Sequence, residues 1–169
     1  MGGLGHMGVK FAKAMGAEVT LFTRSESKVK EAKKQGADHV VISTDPEQME
    51  AVAETFDFML DTVPVQHDLN PYLNCLKFDG THILVGLLEP VDPALQAGQL
   101  VMKRRVLAGS LIGGMPETQE MLDFCGEHGI HCDVEMLDIK NINEAFERMK
   151  KGDVKYRFVI DMDTLKQSA

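Results

Sequence analysis

The sequence predicts an α/β protein whose strands lie parallel in a doubly wound sheet. Three observations predict it. Glycines at positions 2, 3, 5 and 8 crowd into a turn, and a helix-like run follows in which Leu4, Met7, Phe11 and Met15 are spaced to share one face. Short, β-rich apolar runs then alternate with helical segments of about ten residues, the rhythm of βαβ units. Glycine or proline punctuates most of the junctions. The 169 residues are enough for one domain with a sizeable core.

The elements follow in order. Gly16 stops the first helix, and AEVTLFT, residues 17–23, has the apolar composition of a buried parallel strand. Ser25 and Ser27 are N-cap candidates for a helix through Val29–Gln35 that stops at Gly36. His39–Ser43 is a short strand. Asp45-Pro46 suits a helix start, with Met49, Val52 and Ala53 as its apolar stripe. Phe56–Val63 is a strand ended by Pro64, Asp68–Leu76 a short helix, and Asp79-Gly80 a turn. Thr81–Leu88 is a strong buried strand, residues 89–100 are loop-like, and Lys103–Ile112 is a strand with an exposed basic lead-in. Gly113–Pro116 breaks it, and Thr118–His128 is an amphipathic helix stopped by Gly129. Beyond that point the rhythm loosens. Asp133–Ile139 reads as a strand and Asn141–Lys151 as a helix with Ile142, Ala145, Phe146 and Met149 inward. Tyr156–Asp161 reads as a last strand before a polar tail.

Composition narrows the function. A formal net charge of −8 argues against nucleic acid, whose phosphates select basic surfaces. No apolar run reaches the length of a membrane span, and the N-terminus lacks the layout of a signal peptide. Cys75, Cys125 and Cys132 match no zinc spacing and read as reduced thiols of a cytoplasmic protein.

The glycine turn has a specific chemistry. Glycine lets backbone N–H groups approach an anion, and a helix N-terminus adds unpaired donors and partial positive charge. Gly2 or Gly3, with Gly5 and Gly8, supplies the latter half of a G-x-G-x-x-G dinucleotide pattern; a flexible leader is the plainer alternative. NAD-binding folds place an acidic residue about twenty positions further on. Here that stretch reads Thr23-Arg24-Ser25-Glu26-Ser27-Lys28, with cations and hydroxyls that suit a 2′-phosphate and hence NADP(H). A solvated turn is the competing reading, and Glu26 weakens the positive charge. Asp57 and Asp61 flank a strand core, where hydrogen bonding at the strand end outweighs acid–base work. The six histidines are scattered and none has a metal-ligand spacing; His6 could touch a phosphate or lie on the surface.

Taken together, these residues resemble the C-terminal half of a zinc-containing medium-chain alcohol dehydrogenase, on the cinnamyl alcohol dehydrogenase-like branch. The resemblance covers essentially the whole chain. Its carriers are GGLGHMGVKFAKAMGAEVTLFT, TRSESK, the DTV at 61–63, ILVGLL, AGSLIGGMPETQEMLDFC and AFERMKKGDVKYRFVID. It implies a Rossmann-type sheet over residues 1–128 that lacks its first strand. It also implies that residues 129–169 complete a GroES-like catalytic domain otherwise outside this chain. By the same resemblance, Gly3, Leu4 and Gly5 present amides to the pyrophosphate, and Thr23, Arg24, Ser25 and Lys28 hold the 2′-phosphate. Thr62, Val85 and Gly86 line the ribose and nicotinamide, and Ser110, Leu111 and Ile112 lie beside the carboxamide. The edge strand near Leu107–Ile112 pairs with its twin in a homodimer.

The implied activity is hydride transfer between nicotinamide and a primary alcohol or aldehyde. Zinc belongs to the full-length family but has no ligands in this chain, so the chain alone is expected to be inactive and to contribute no catalytic residue. The alternatives are a zinc-free quinone reductase of the same superfamily and a non-catalytic nucleotide-binding or interaction module.

Overall fold

The computed structural model of the chain describes residues 2–86 and 89–167. The helices are α1 (Gly3–Ala14), α2 (Val29–Lys34), α3 (Pro46–Ala51), α4 (Asn70–Cys75), α5 (Ala97–Val101), α6 (Met115–His128) and α7 (Ile142–Lys150). The strands are β1 (Thr20–Thr23), β2 (His39–Ile42), β3 (Phe56–Asp61), β4 (Leu76–Leu84), β5 (Val106–Gly109), β6 (Glu135–Asp138) and β7 (Phe158–Asp161). The strand pairs are parallel, as the sequence predicts, and helices α2, α4, α5 and α7 make the crossovers. No helix among the described residues is long and apolar enough to cross a membrane.

The sheet comes in three pieces. β1 pairs with β2, β3–β4–β5 form a second sheet in that order, and β6 pairs with β7. In a doubly wound sheet of order 3-2-1-4-5-6 the first strand lies between the second and the fourth. β1 and β3 occupy those flanking places, and among the described residues no ladder joins them. Side chains bridge the break instead. The Phe22 ring of β1 meets Phe56 of β3 edge-on at 5.5 Å and Tyr72 of α4 at 5.6 Å. Phe22 thereby packs against the buried cluster of Met59, Leu73, Cys75 and Leu76. Burial pushes the Cys75 thiol up to about 11, so it behaves as a small apolar side chain.

Two contacts fix the direction of α1. Lys13 Nζ pairs with Asp38, just before β2, at 2.8 Å. Near the other end of the helix, a Cβ on Gly8 would lie 3.0 Å from Leu60 Cδ2, close to the end of β3. The helix therefore runs antiparallel to the strands, and its N-terminus lies beyond their C-terminal ends. Its buried side chains are His6 and Val9. Leu4 and Met15, expected on the inward face, are exposed; the buried face of α1 is that of His6 and Val9, and Met15 lies at the C-cap.

Other boundaries differ for local reasons. β1 begins at Thr20 because the Ala17 N–H still closes the end of α1 on the Ala12 carbonyl. Ser25 and Ser27 do not cap through their side chains; their hydroxyls bond each other at 2.7 Å. Asp45 does cap α3, accepting from the Glu47 and Gln48 amides. Asp79-Gly80 is an irregularity within β4 rather than a break before it, and Leu87 and Leu88 of the predicted strand lie outside the described residues. α5 occupies part of the predicted loop. α6 starts at Met115, earlier than predicted, because Glu117 accepts the Gly114 N–H and Pro116 sits in the first turn. Gly129 ends it at φ 63°. The strand at 103–112 shrinks to Val106–Gly109, and its basic lead-in is only partly exposed: Arg105 is buried. In α7, Ala145 is buried, but Phe146 and Met149 are each 53 % exposed. The predicted polar tail contains a 3-10 turn over Met162–Gln167.

The segment β6–α7–β7 is fastened to α1 and α2. Asp133 accepts from Lys10 Nζ and from Gln35 Nε2, each at 2.7 Å. Tyr156 donates to Glu31 Oε1 at 2.7 Å and stacks on His6 at 4.2 Å with 10° between ring planes. Burial lowers the His6 pKa and, with the Glu31 carboxylate, raises that of Tyr156. Within the segment, Arg148 clamps Glu135 and Asp153 and lies over the Phe158 ring at 4.8 Å.

Candidate functional site

The candidate site is the edge of the sheet where the parallel strands end. α1 opens on it at Gly3, with Gly2 as an N-cap that has no side chain to offer. The first helical bond runs from the His6 N–H to the Gly2 carbonyl at 3.0 Å. The N–H groups of Gly3, Leu4 and Gly5 precede that bond and find no acceptor within the helix. No acidic side chain occupies the first turn. Such an end is electrostatically ready for an anion.

Arg157 reinforces it. A Cβ on Gly3 would lie 3.7 Å from the Arg157 Cζ and Nη2 and 3.5 Å from the Tyr156 carbonyl oxygen. The helix start and the strand leading into β7 thus meet at Gly3, and an exposed guanidinium lies beside the free amides. Sequence reasoning missed Arg157. It stands about 150 residues from the glycines, and only tertiary packing brings the two together.

A second cationic place lies at the tip of β1. Thr23 is buried, its hydroxyl accepts the Ser25 N–H at 3.3 Å, and its carbonyl accepts the Ser43 N–H from the end of β2 at 2.8 Å. Arg24 and Lys28 are exposed, and neither makes an ion pair among the described residues. α1 runs antiparallel to β1, so Gly3–Gly5 and Thr23–Lys28 share one edge of the sheet.

The tips of β3, β4 and β5 continue that edge. The Val85 N–H reaches the Asp61 carbonyl at 2.9 Å, and the Ser110 N–H reaches the Leu84 carbonyl at 3.0 Å. Gly86 lies hard against the next turn. A Cβ there would fall 2.6 Å from the Thr62 carbonyl carbon, 2.7 Å from its oxygen and 2.8 Å from the Val63 oxygen. The structure therefore brings Thr62, Val85 and Gly86 together. It leaves Leu111 and Ile112 as open side chains, 84 % and 89 % exposed.

Asp61 is the most engaged ionisable group on this edge. It is buried, with Oδ1 accepting the Val63 N–H at 2.9 Å. Its Oδ2 faces His67 Nε2 at 2.9 Å and His82 Nε2 at 3.2 Å. Burial pushes its pKa upward, but the bonds from His82 and Val63 and the charge of His67 outweigh that and hold it below the ordinary carboxylate value. Asp57, by contrast, is an exposed partner of Lys77 at 2.8 Å. Met59 pairs with His82 in the ladder, so Asp61, two residues beyond Met59, and His82 share the inward face. Two concavities lie off the rim. One, of about 280 Å³, is lined by β6 and α7; the other, of about 330 Å³, lies between the tip of β2, α3 and α4.

The chain is similar to known proteins over nearly all of its length. The family described as zinc-binding dehydrogenase matches residues 3–127. The aldehyde reductase YahK of Escherichia coli is 56 % identical over 165 residues, covering 98 % of this chain and 47 % of that protein. The solved cinnamyl alcohol dehydrogenase SbCAD4 of Sorghum bicolor superposes with a TM-score of 0.89 at 43 % identity, over 96 % of this chain and 46 % of that one. The cinnamyl alcohol dehydrogenase of Helicobacter pylori, solved with NADP(H), gives 0.81 at 40 % identity over the same 96 % and 46 %. The chain spans about half the length of the curated relatives it matches.

Proposed function

The chain belongs to the zinc-binding dehydrogenase family, and on that premise we propose that it is the NADP(H)-binding portion of an alcohol dehydrogenase or aldehyde reductase. The observation that carries the reading is the row of free first-turn amides on Gly3, Leu4 and Gly5 with the Arg157 guanidinium beside it. In this reading the amides and Arg157 hold the pyrophosphate. Thr23, Arg24, Ser25 and Lys28 hold the 2′-phosphate. Thr62, Val85 and Gly86 flank the ribose and nicotinamide, and Ser110, Leu111 and Ile112 meet the carboxamide through backbone groups. When bound, the nucleotide supplies or accepts a hydride at its nicotinamide ring. The residues of this chain bind and orient it.

Among the described residues no group of three or more His, Cys, Asp or Glu side chains is placed to hold a metal ion. Residues 129–169 would complete a catalytic domain with segments from elsewhere, and one more parallel strand would fill the break between β1 and β3. Among the described residues the outer edge of β5 pairs with no other strand, and in this reading it pairs with a second copy.

Nucleotide titration tests the reading. Arg24→Asp is expected to weaken NADPH by about tenfold more than NADH, since only NADPH carries the 2′-phosphate. Arg157→Gln should weaken both alike, because the pyrophosphate is common to them. Equal losses for the two nucleotides with Arg24→Asp would end the 2′-phosphate assignment. The purified chain should bind NADPH without oxidising it when aldehyde is added; aldehyde-dependent loss of the nicotinamide absorbance would contradict the division of labour proposed here.

A further inference from the structure

The group at the tip of β3 has a countable set of protons. His67 Nδ1 faces the Val65 carbonyl at 2.8 Å, and its Nε2 faces the Asp61 carboxylate at 2.9 Å. A carbonyl oxygen can only accept, and an ionised carboxylate can only accept. Both ring nitrogens of His67 therefore have to donate, which makes the ring an imidazolium. His82 is different. Its Nε2 faces the same carboxylate oxygen at 3.2 Å, but its Nδ1 is buried with no hydrogen-bond partner among the described residues. A charged ring would leave a buried N–H unmet there, so the neutral Nε2–H tautomer fits.

We infer that His67 is a positioning residue that works as an imidazolium: with Asp61 as its counter-ion and neutral His82 as a second donor, it clasps the 62–67 turn against Gly86 at the nucleotide cleft. The trio is then net neutral, with two protons on His67, one on His82 and none on Asp61. The clasp has two grips on the turn. The Val63 N–H is held by Asp61 Oδ1, and the Val65 carbonyl is held by His67 Nδ1. The lowered pKa of Asp61 agrees with a carboxylate that stays ionised between two donors.

Few other groups face His67. The Tyr72 ring of α4 meets its edge at 6.0 Å. The neighbouring acids point elsewhere: Asp68 accepts from Asn70, and Glu89 accepts the Gln66 N–H on the outer side of the turn. Removing one proton from His67 would leave a lone pair facing either the Val65 carbonyl or the Asp61 carboxylate. One grip is then lost and replaced by repulsion.

The proton count stands without the nucleotide reading, whereas the positioning role rests on it. Two measurements on the full chain separate them. The first is ¹⁵N NMR of the histidine rings. Where the turn is ordered, His67 should show both nitrogens protonated and His82 only one; a His67 ring with one bare nitrogen while the turn is ordered would overturn the inference. The second is the NADH affinity of variants of the full chain. His67→Gln should weaken it by about tenfold, the size of one charge-assisted bond, and His82→Gln, which removes only the second donor to Asp61, should weaken it less. Wild-type NADH affinity in His67→Gln would overturn the positioning role. Absence of NADH and NADPH binding at any pH would overturn that role along with the nucleotide reading, and the ring signals would still decide the proton count.

Discussion

Gly86→Ala is expected to destabilise the chain by about 2–3 kcal/mol and to weaken NADPH binding together with it. The added methyl carbon would enter at 2.6 Å from the Thr62 carbonyl carbon and at 2.7 and 2.8 Å from the Thr62 and Val63 oxygens. All three are backbone atoms, so no rotamer change makes room. The turn that would have to retreat is tied down on both sides. The Val63 N–H is bound to the Asp61 side chain, and the Asp61 carbonyl takes the Val85 N–H. The strain therefore passes into the β3–β4 ladder or opens the turn. Urea unfolding with an unchanged slope and a lower midpoint would register the first outcome, and a nucleotide titration the second. A wild-type midpoint and wild-type affinity would show that the two strand tips are not in contact.

Arg105→Ala should cost about 3 kcal/mol, mostly through the acceptors it leaves behind. Arg105 is buried at the foot of the β3–β4–β5 sheet, opposite the edge where the parallel strands end. Its guanidinium donates to the carbonyls of Leu76, Asn74, Lys77 and Gln99. Two of those acceptors belong to the C-terminal end of α4 and the residue that follows it, where orphan carbonyls and negative dipole charge collect. One planar group thus closes α4, fixes the start of β4 and anchors the lead-in to β5. Arg105→Lys should recover little, since an ammonium cannot span the same fork of acceptors. Arg104→Ala next door is the control. Arg104 pairs with Asp79 at the exposed surface, where such pairs contribute at most about 1 kcal/mol. Equal losses at 104 and 105 in denaturant melts would refute the special place of Arg105.

Much of the architecture was legible because its signals are local. Asp45-Pro46 announces a helix start through an oxygen that caps two amides, and the structure uses it that way. Gly36 and Gly129 announce stops, and both have the positive φ that a side chain resists. The parallel strands show as apolar runs between such marks. What stayed hidden depends on distant partners. Arg105 looks like a solvent-facing cation beside Lys103 and Arg104 until four carbonyls from elsewhere in the chain surround it. Phe146 and Met149 sit at helical spacing that suggests burial, yet β6 and β7 cover only the Ala145 side of α7 among the described residues. The same split runs through the candidate site. Gly3–Gly5 and Thr23–Lys28 were legible as a glycine turn and a cationic turn. Arg157, His67 and His82 were not, because each becomes informative only beside a residue that the fold supplies.

The break between β1 and β3 has a consequence for cooperativity. A continuous ladder passes order from strand to strand, so that all strands melt together. Among the described residues the β1–β2 unit and the β3–β4–β5 unit communicate through helix packing and the Phe22 ring rather than through shared backbone bonds. A nucleotide gripped by both would therefore act as a cross-tie that couples their loss of structure.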